Sequence, residues 1–148
     1  MRRDGSMTKV LATGTFDILH PGHILYLEEA KKLGDELFVI VARDANIKHK
    51  PKPVIPENQR LRMVKALRVV DEAILGSESD IFEPLFQIKP DIIALGFDQK
   101  FDETWLEKEL SKRGIEARVV RIEKFEDCEL CSTAKIFTRI VERYSSNK

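Results

Sequence analysis

The sequence predicts an α/β fold, a Rossmann-like doubly wound parallel sheet in one domain spanning residues 7–148. Three observations predict it. Strand-like apolar runs alternate with segments of helical period along the whole chain, the order expected of a parallel sheet covered on both faces. The run Leu37-Phe38-Val39-Ile40-Val41-Ala42 is apolar without a break, as a central strand buried on both sides must be. The tetrapeptide HPGH at 20–23 falls where a loop becomes a helix, because proline has no N–H to leave unpaired at a first helical position.

The elements follow in order. Strands are expected at 10–12, 37–42, 73–75 and 92–95, with 117–122 mixing charges and valines as suits a sheet edge. Helices are expected at 21–33, stopped by Gly34, and at 56–67, 80–88 and 102–112. Ile81, Leu85 and Ile88 mark the inner face of the third. A last helix from about Ser132 carries Ile136, Phe137, Ile140, Val141 and Tyr144 on one stripe, read as a core face. Residues 1–6 read as a loose or added end before Met7.

Composition narrows the function. The chain has 148 residues, and its 25 basic and 25 acidic side chains cancel, where a nucleic-acid binder usually carries a basic excess. No apolar run approaches the length of a bilayer span, and no apolar core follows Arg2 and Arg3, so a cytoplasmic protein without a membrane partner is expected.

In a sheet of this kind ligands bind beyond the carboxyl ends of the strands, which makes four loops important. The first is GTFDILHPGH, 14–23. The free N–H groups and positive dipole of a helix start attract an anion, Gly22 lets a phosphate approach the backbone, and His20 and His23 can each donate to its oxygens. Two of the three histidines in the chain lie here, and the HExxH zinc pattern is absent. The bland alternative is an ordinary hydrogen-bonded histidine pair. The second loop, 43–53, carries Lys48, His49, Lys50 and Lys52, either as a solvated basic loop or as a flap over phosphates. It leads into Glu57-Asn58-Gln59-Arg60 at a helix start. The third is Gly96-Phe97-Asp98-Gln99-Lys100-Phe101-Asp102, where Asp98 either meets a ligand or caps its own loop. The fourth, Cys131-Ser132-Thr133-Ala134-Lys135-Ile136, enters the last helix with two hydroxyls at its head.

GTFDILHPGH resembles the H-x-G-H motif of the cytidylyltransferase-like nucleotidyltransferases, which join a nucleotide to a small acceptor and release pyrophosphate. The resemblance runs from Lys9 to Ile140. It narrows to the archaeal FMN adenylyltransferases on ATGTFDILHPGH, GDELFVIVARD, PDIIALGFDQ with FDE after it, and a cysteine five residues before Thr133. It implies a nucleotidyltransferase-type sheet, transfer of AMP from ATP to FMN, and a divalent cation such as Mg²⁺ held mainly by the ATP phosphates rather than by protein ligands. The implied ATP contacts are Thr15, Phe16, His20, Pro21, Gly22, His23 and Asp98, with Phe125 standing where a tyrosine is usual and Ser132 and Thr133 on the outer phosphates. His20, His23 and Lys48 are the implied catalytic residues, and Asp17 and Arg60 are candidates on the acceptor side. The arginine usual in the last-helix motif is missing, and Lys135 and Arg139 are the nearest basic residues. A homodimer is the expected assembly. A glycerol phosphate cytidylyltransferase shares this framework, and a nucleotide- or flavin-binding module without turnover is the reading from another class.

Cys128 and Cys131 form a C-x-x-C pair, which serves as a zinc half-site, a redox dithiol or two ordinary thiols. Zinc would need His20 and His23 to complete its ligands and would block the phosphate site. Two ordinary thiols are the expectation. A redox-sensitive pair able to disturb Ser132 and Thr133 is the alternative.

Overall fold

The computed structural model describes residues 5–48 and 51–145. His49 and Lys50 of the basic loop, and 1–4 of the expected loose end, lie outside the described residues. The elements are β1 (Lys9–Gly14), α1 (Pro21–Lys31), β2 (Glu36–Val41), a 3₁₀ turn (Asp44–Asn46), α2 (Glu57–Lys65), β3 (Glu72–Leu75), α3 (Glu83–Ile88), β4 (Ile92–Leu95), α4 (Glu103–Lys112), β5 (Arg118–Arg121) and α5 (Thr133–Ser145). The five strands form one parallel sheet in the order β3-β2-β1-β4-β5. The chain order therefore reverses between β1 and β4, and the crevice at that switch point is the place for a ligand.

Alternate residues of the central strands feed two cores. Val10, Ala12, Val39, Val41 and Ala94 pack against Leu27 and Ala30 of α1 and Val64 of α2. Leu11, Ile40, Ile93 and Leu95 pack on the other face against Leu85 of α3 and Leu106 and Leu110 of α4. That two-sided burial explains why these strands read as continuous apolar runs instead of alternating ones. β5 lies at the sheet edge, as its mixed composition implied.

Several local signals act differently from their expected roles. Gly34 follows the end of α1, but its need for glycine comes from packing: a Cβ there would stand 2.7 Å from Val10 Cγ2 and 2.8 Å from the Thr8 carbonyl oxygen. Asp102 caps α4 by accepting from the Trp105 N–H at 2.8 Å. Asp80 instead accepts from the Phe82 N–H at 3.0 Å and closes a turn, so α3 starts only at Glu83 and Ile81 is left exposed rather than on a core face. The last helix is the larger correction. Ile140, Val141 and Tyr144 are exposed and no residue of α5 is buried. The period of the stripe was legible, but α1–α4 already cover both faces of the sheet, leaving no core face for α5 to fill.

Among the described residues one charged side chain is fully buried, and it sets the shape of the ligand end. Arg60 of α2 donates through Nη1 to the carbonyls of Thr15 at 2.7 Å and Ala42 at 2.8 Å, and through Nε to that of Ile55 at 2.8 Å. Its Nη2 meets Asp44 Oδ1 at 2.6 Å. One guanidinium thus ties the first loop, the end of β2 and the return of the second loop together. Arg60→Leu should lower the unfolding free energy by about 2–4 kcal/mol, since it strands these carbonyls and one carboxylate. Arg60→Lys should recover little, lacking the planar fork. Urea unfolding of the three proteins measures both; equal midpoints would remove the clamp.

Candidate active site

The site is built at the head of α1. Pro21 occupies the first helical position, and the two histidines cap the helix reciprocally. His20 Nδ1 accepts from the Gly22 N–H at 3.1 Å, and His23 Nδ1 accepts from the His20 N–H at 3.2 Å. With both Nδ1 atoms used as acceptors, the neutral rings carry their protons on Nε2. Burial lowers the pKa of His20. Burial, and next the neighbouring His20, lower that of His23 to about 4, against a smaller opposing pull from Asp17. The rings lie 3.8 Å apart between centroids. At neutral pH the pair is therefore two uncharged N–H donors, side by side.

Phe16 supports this arrangement from beneath. It is buried, with its ring 5.4 Å from that of His23, and it adopts φ 54°, a left-handed conformation uncommon for an aromatic residue. The side chain expected to touch ATP thus belongs to the core, and only its backbone borders the site. Gly14 has no room for a side chain, since a Cβ would sit 2.8 Å from the Phe16 ring.

The head of α5 meets the head of α1. A Cβ on Gly22 would lie 2.9 Å from the His20 ring and 3.3 Å from the Cys131 carbonyl oxygen, so glycine is what lets the segment before α5 close over α1. Ser132 caps α5, its hydroxyl accepting from the Lys135 N–H at 3.1 Å, and Thr133 is the first helical residue. Two helix N-termini converge beside the two histidines, and each carries partial positive charge. Cys128 and Cys131, expected as separate thiols, are joined by a disulfide immediately before this helix start. Arg139 pairs with Glu129 at 2.5 Å, and Lys135 is exposed in the first turn of α5.

The other expected residues divide clearly. Arg60, a candidate on the acceptor side, is fully buried and its donors are taken up by the clamp. Glu57 is also structural. It accepts from the Asp44 N–H at 3.0 Å and pairs with Arg43 at 3.0 Å, so the E-x-x-R segment anchors the second loop. Asp17 accepts from the backbone N–H groups of Val54 at 2.9 Å and Ile55 at 2.8 Å, holding the return of that loop against the first. Lys48 and Asp98 remain exposed on the second and third loops. Exposure removes the buried loop-capping reading of Asp98. Gln99 does that work instead, accepting from the Gly96 N–H at 2.8 Å and donating to the Thr13 carbonyl at 3.1 Å. Phe125 is exposed with its ring 5.2 Å from that of Phe97, so the loop after β5 and the third loop present an aromatic pair.

Sequence reasoning missed Tyr26, Gln99 and Arg121. The Tyr26 hydroxyl donates to the Ala94 carbonyl at 2.6 Å and accepts from the Thr13 N–H at 3.2 Å, bridging β1 and β4 at the switch point. Burial pushes its pKa up, which keeps it a donor. Arg121 donates to the carbonyls of Gly96 at 2.8 Å and Gln99 at 2.5 Å, and also to Phe101 and Glu103, fixing the third loop. Gln99 lies within a loop already marked, but no local pattern identifies the other two, whose partners are remote in sequence.

With this geometry the comparisons with known proteins agree. The Cytidylyltransferase-like family model matches residues 11–139. The chain is 69% identical over 140 residues to an FAD synthase of Ferroglobus placidus, covering 95% of this chain and 92% of that one. It is 67% identical over 138 residues to an FAD synthase of Methanosarcina mazei, covering 93% and 91%. Among solved structures, one described as a lipopolysaccharide core biosynthesis protein from Thermoplasma volcanium superposes with a TM-score of 0.79 at 52% identity, covering 82% of this chain and all of that one.

The depressed pKa of His23 gives a pH signature. Between about 6.5 and about 4 the unfolded chain takes up a proton at this position that the folded chain refuses. Stability present above that window should therefore be lost as pH falls through it, and His23→Gln should lose less. Urea midpoints of both proteins across the window test this. Parallel curves would mean that His23 is not held neutral by the fold.

Proposed function

The chain belongs to the cytidylyltransferase-like family, and from that premise we infer that it is an FAD synthase, a nucleotidyltransferase that moves the AMP portion of ATP to FMN and releases pyrophosphate. What carries the reading is the meeting of two helix N-termini around the Nε2–H donors of His20 and His23. The reaction needs such a place. An oxygen of the FMN phosphate attacks the α-phosphorus of ATP, a new P–O–P linkage forms, and the bond to the β-phosphate breaks in line with it. A phosphomonoester is already largely dianionic at neutral pH, its second pKa lying near 6, so no strong general base is required. What limits the rate is the negative charge gathering on the transferred and leaving phosphates, and preorganised donors stabilise that charge without reorganising.

In this proposal His20 and His23 donate to the α- and β-phosphate oxygens, because both Nε2–H groups are fixed in tautomer and direction by their caps. Thr15, Pro21 and Gly22 border the same phosphates through the backbone of the first loop. Ser132 and Thr133 bring the N–H groups of the α5 head to the outer phosphates, and Lys48 follows the pyrophosphate as it leaves. Asp98 and the Phe97–Phe125 pair lie on the nucleoside side. In this proposal a divalent cation arrives on the ATP phosphates and is held mainly by them. When bound, such an ion neutralises phosphate charge. Among the described residues no helix is long and apolar enough to cross a membrane, and the proposal sets the enzyme in the cytoplasm with both substrates. A homodimer is the assembly proposed.

Incubating the protein with FMN, a divalent cation and each of the four nucleoside triphosphates should give FAD and pyrophosphate from ATP. Product from CTP and glycerol phosphate, with none from FMN, would replace the reading with the cytidylyltransferase one.

His20→Ala or His23→Ala should lower kcat by about a hundredfold or more with a smaller change in ATP affinity, the pattern of donors that act on the transition state. Each alanine also removes a helix cap, at a cost of about 1 kcal/mol in stability. His20→Asn keeps an acceptor for the cap, so it should lose turnover without that loss of stability. Near-normal turnover in a folded variant would overturn the assigned roles.

A further inference from the structure

We propose that the apolar cavity between the sheet and α3–α4 seats the isoalloxazine ring of the flavin acceptor, with Ile81 and Phe101 at its mouth selecting a broad aromatic acceptor over a small one. This assignment rests on the FAD synthase reading above. The cavity holds about 290 Å³, near the lower end of the roughly 300–1,000 Å³ typical of small-molecule sites. Its floor is Ile40 and Leu95 of the sheet, and its far wall is Phe82, Leu85 and Leu106. Protein interiors are close-packed and leave few voids larger than a water molecule. An apolar hollow of this size, open beside the first loop, has room for the ring of a ligand.

Its position favours the acceptor over the nucleotide. All of these wall residues belong to the core on the α3–α4 face, whereas α1, which carries the histidines, packs on the opposite face. The two sides meet at Gly14 and Thr15, which line the cavity and begin the first loop. In-line displacement requires the attacking oxygen and the leaving pyrophosphate on opposite sides of the α-phosphorus. With the triphosphate at the heads of α1 and α5, an acceptor reaching in from the α3–α4 side has its phosphate beside Thr15, on the side away from the leaving group.

The chemistry of the walls favours a flavin over adenine. Adenine presents ring nitrogens and an amine around most of its edge, and burying them against Phe82, Leu85 and Leu106 would leave them unpaired. The dimethylbenzene edge of isoalloxazine has no polar atom to satisfy. Its pyrimidine edge needs partners, and polar residues lie at the strand ends: Thr13 and Asn46, the latter already oriented by its donation to the Ser77 carbonyl at 2.6 Å. Adenine has its own aromatic surface in Phe97 and Phe125, on the loops after β4 and β5.

The test reads binding apart from turnover. FMN and riboflavin binding is followed by flavin fluorescence in wild type, Ile81→Asp and Phe101→Ser, with thermal melts to check folding. Both positions line the cavity yet are exposed, at 58% and 39%, so the folds should survive. Ile81→Asp should weaken both flavins about tenfold or more, the loss expected for one apolar side-chain contact replaced by a charge. Phe101→Ser should act in the same direction, and the Michaelis constant for ATP should stay unchanged in both. Riboflavin lacks the phosphate, so its competition with FMN and not with ATP reports the ring alone. Flavin binding unchanged in both variants, or a rise in the ATP constant in place of the FMN constant, overturns the proposal. Normal FAD formation with an unmoved FMN constant would also sink this assignment and leave the synthase reading intact. Flavin binding lost in Ile81→Asp, from a wild type that forms no FAD, would support the cavity and overturn the synthase reading.

Discussion

The ligand end of this protein depends on one pair of hydrogen bonds, the reciprocal caps that His20 and His23 place on the start of α1. A helix start leaves N–H groups without partners, and serine, threonine or aspartate is the usual remedy. Using imidazole for the purpose spends only Nδ1 and turns Nε2–H outward, so one structural act also prepares two donors. Partial burial keeps the rings neutral, which matters because a protonated Nδ1 could no longer accept the backbone N–H that it caps. The glycine between them is constrained from two sides, by the His20 ring and by the backbone that leads into α5.

Around that centre the loops are held by arginines whose guanidinium groups satisfy backbone carbonyls. Arg60 joins the first two loops, and Arg121 braces the third. Such residues look like ligand-binding cations in a list of charges. Here they do the opposite, consuming their donors so that Lys48, Asp98, Phe97 and Phe125 can be presented from a rigid frame. Among the described residues every buried side-chain nitrogen and oxygen has a hydrogen-bond partner. That is what makes a buried arginine tolerable, because a half-satisfied one would cost several kcal/mol, of order 3–5.

Much of this was legible from local pattern. The apolar runs located four strands, the mixed segment 117–122 located the edge strand β5, and Pro21 located the start of α1. The spacing of His20, Gly22 and His23 marked the site because a helix start is a local structure, written in adjacent residues. Legibility failed where the deciding partner was distant in sequence. Arg60 and Thr15 are 45 positions apart, and Arg121 and Gly96 are 25 apart. Ile81 failed for a related reason, since the side chain of Asp80 closed a turn where helical spacing alone suggested a longer helix.

By itself, then, the sequence determined the strands, the parallel sheet they form and the helix start at Pro21, all consequences of periodicity and backbone geometry over a few residues. Tertiary structure alone decided which charges are free. It buried Arg60, tied Asp17 to the backbone at 54 and 55, set Phe16 beneath His23, and left the α5 stripe without a core to face. It also brought Cys131 against Gly22 and opened the cavity on the α3–α4 face. The physical reason is the same in each case. A side chain's availability depends on the desolvation and hydrogen bonding that distant segments impose on it, and no short-range pattern records which segments those will be.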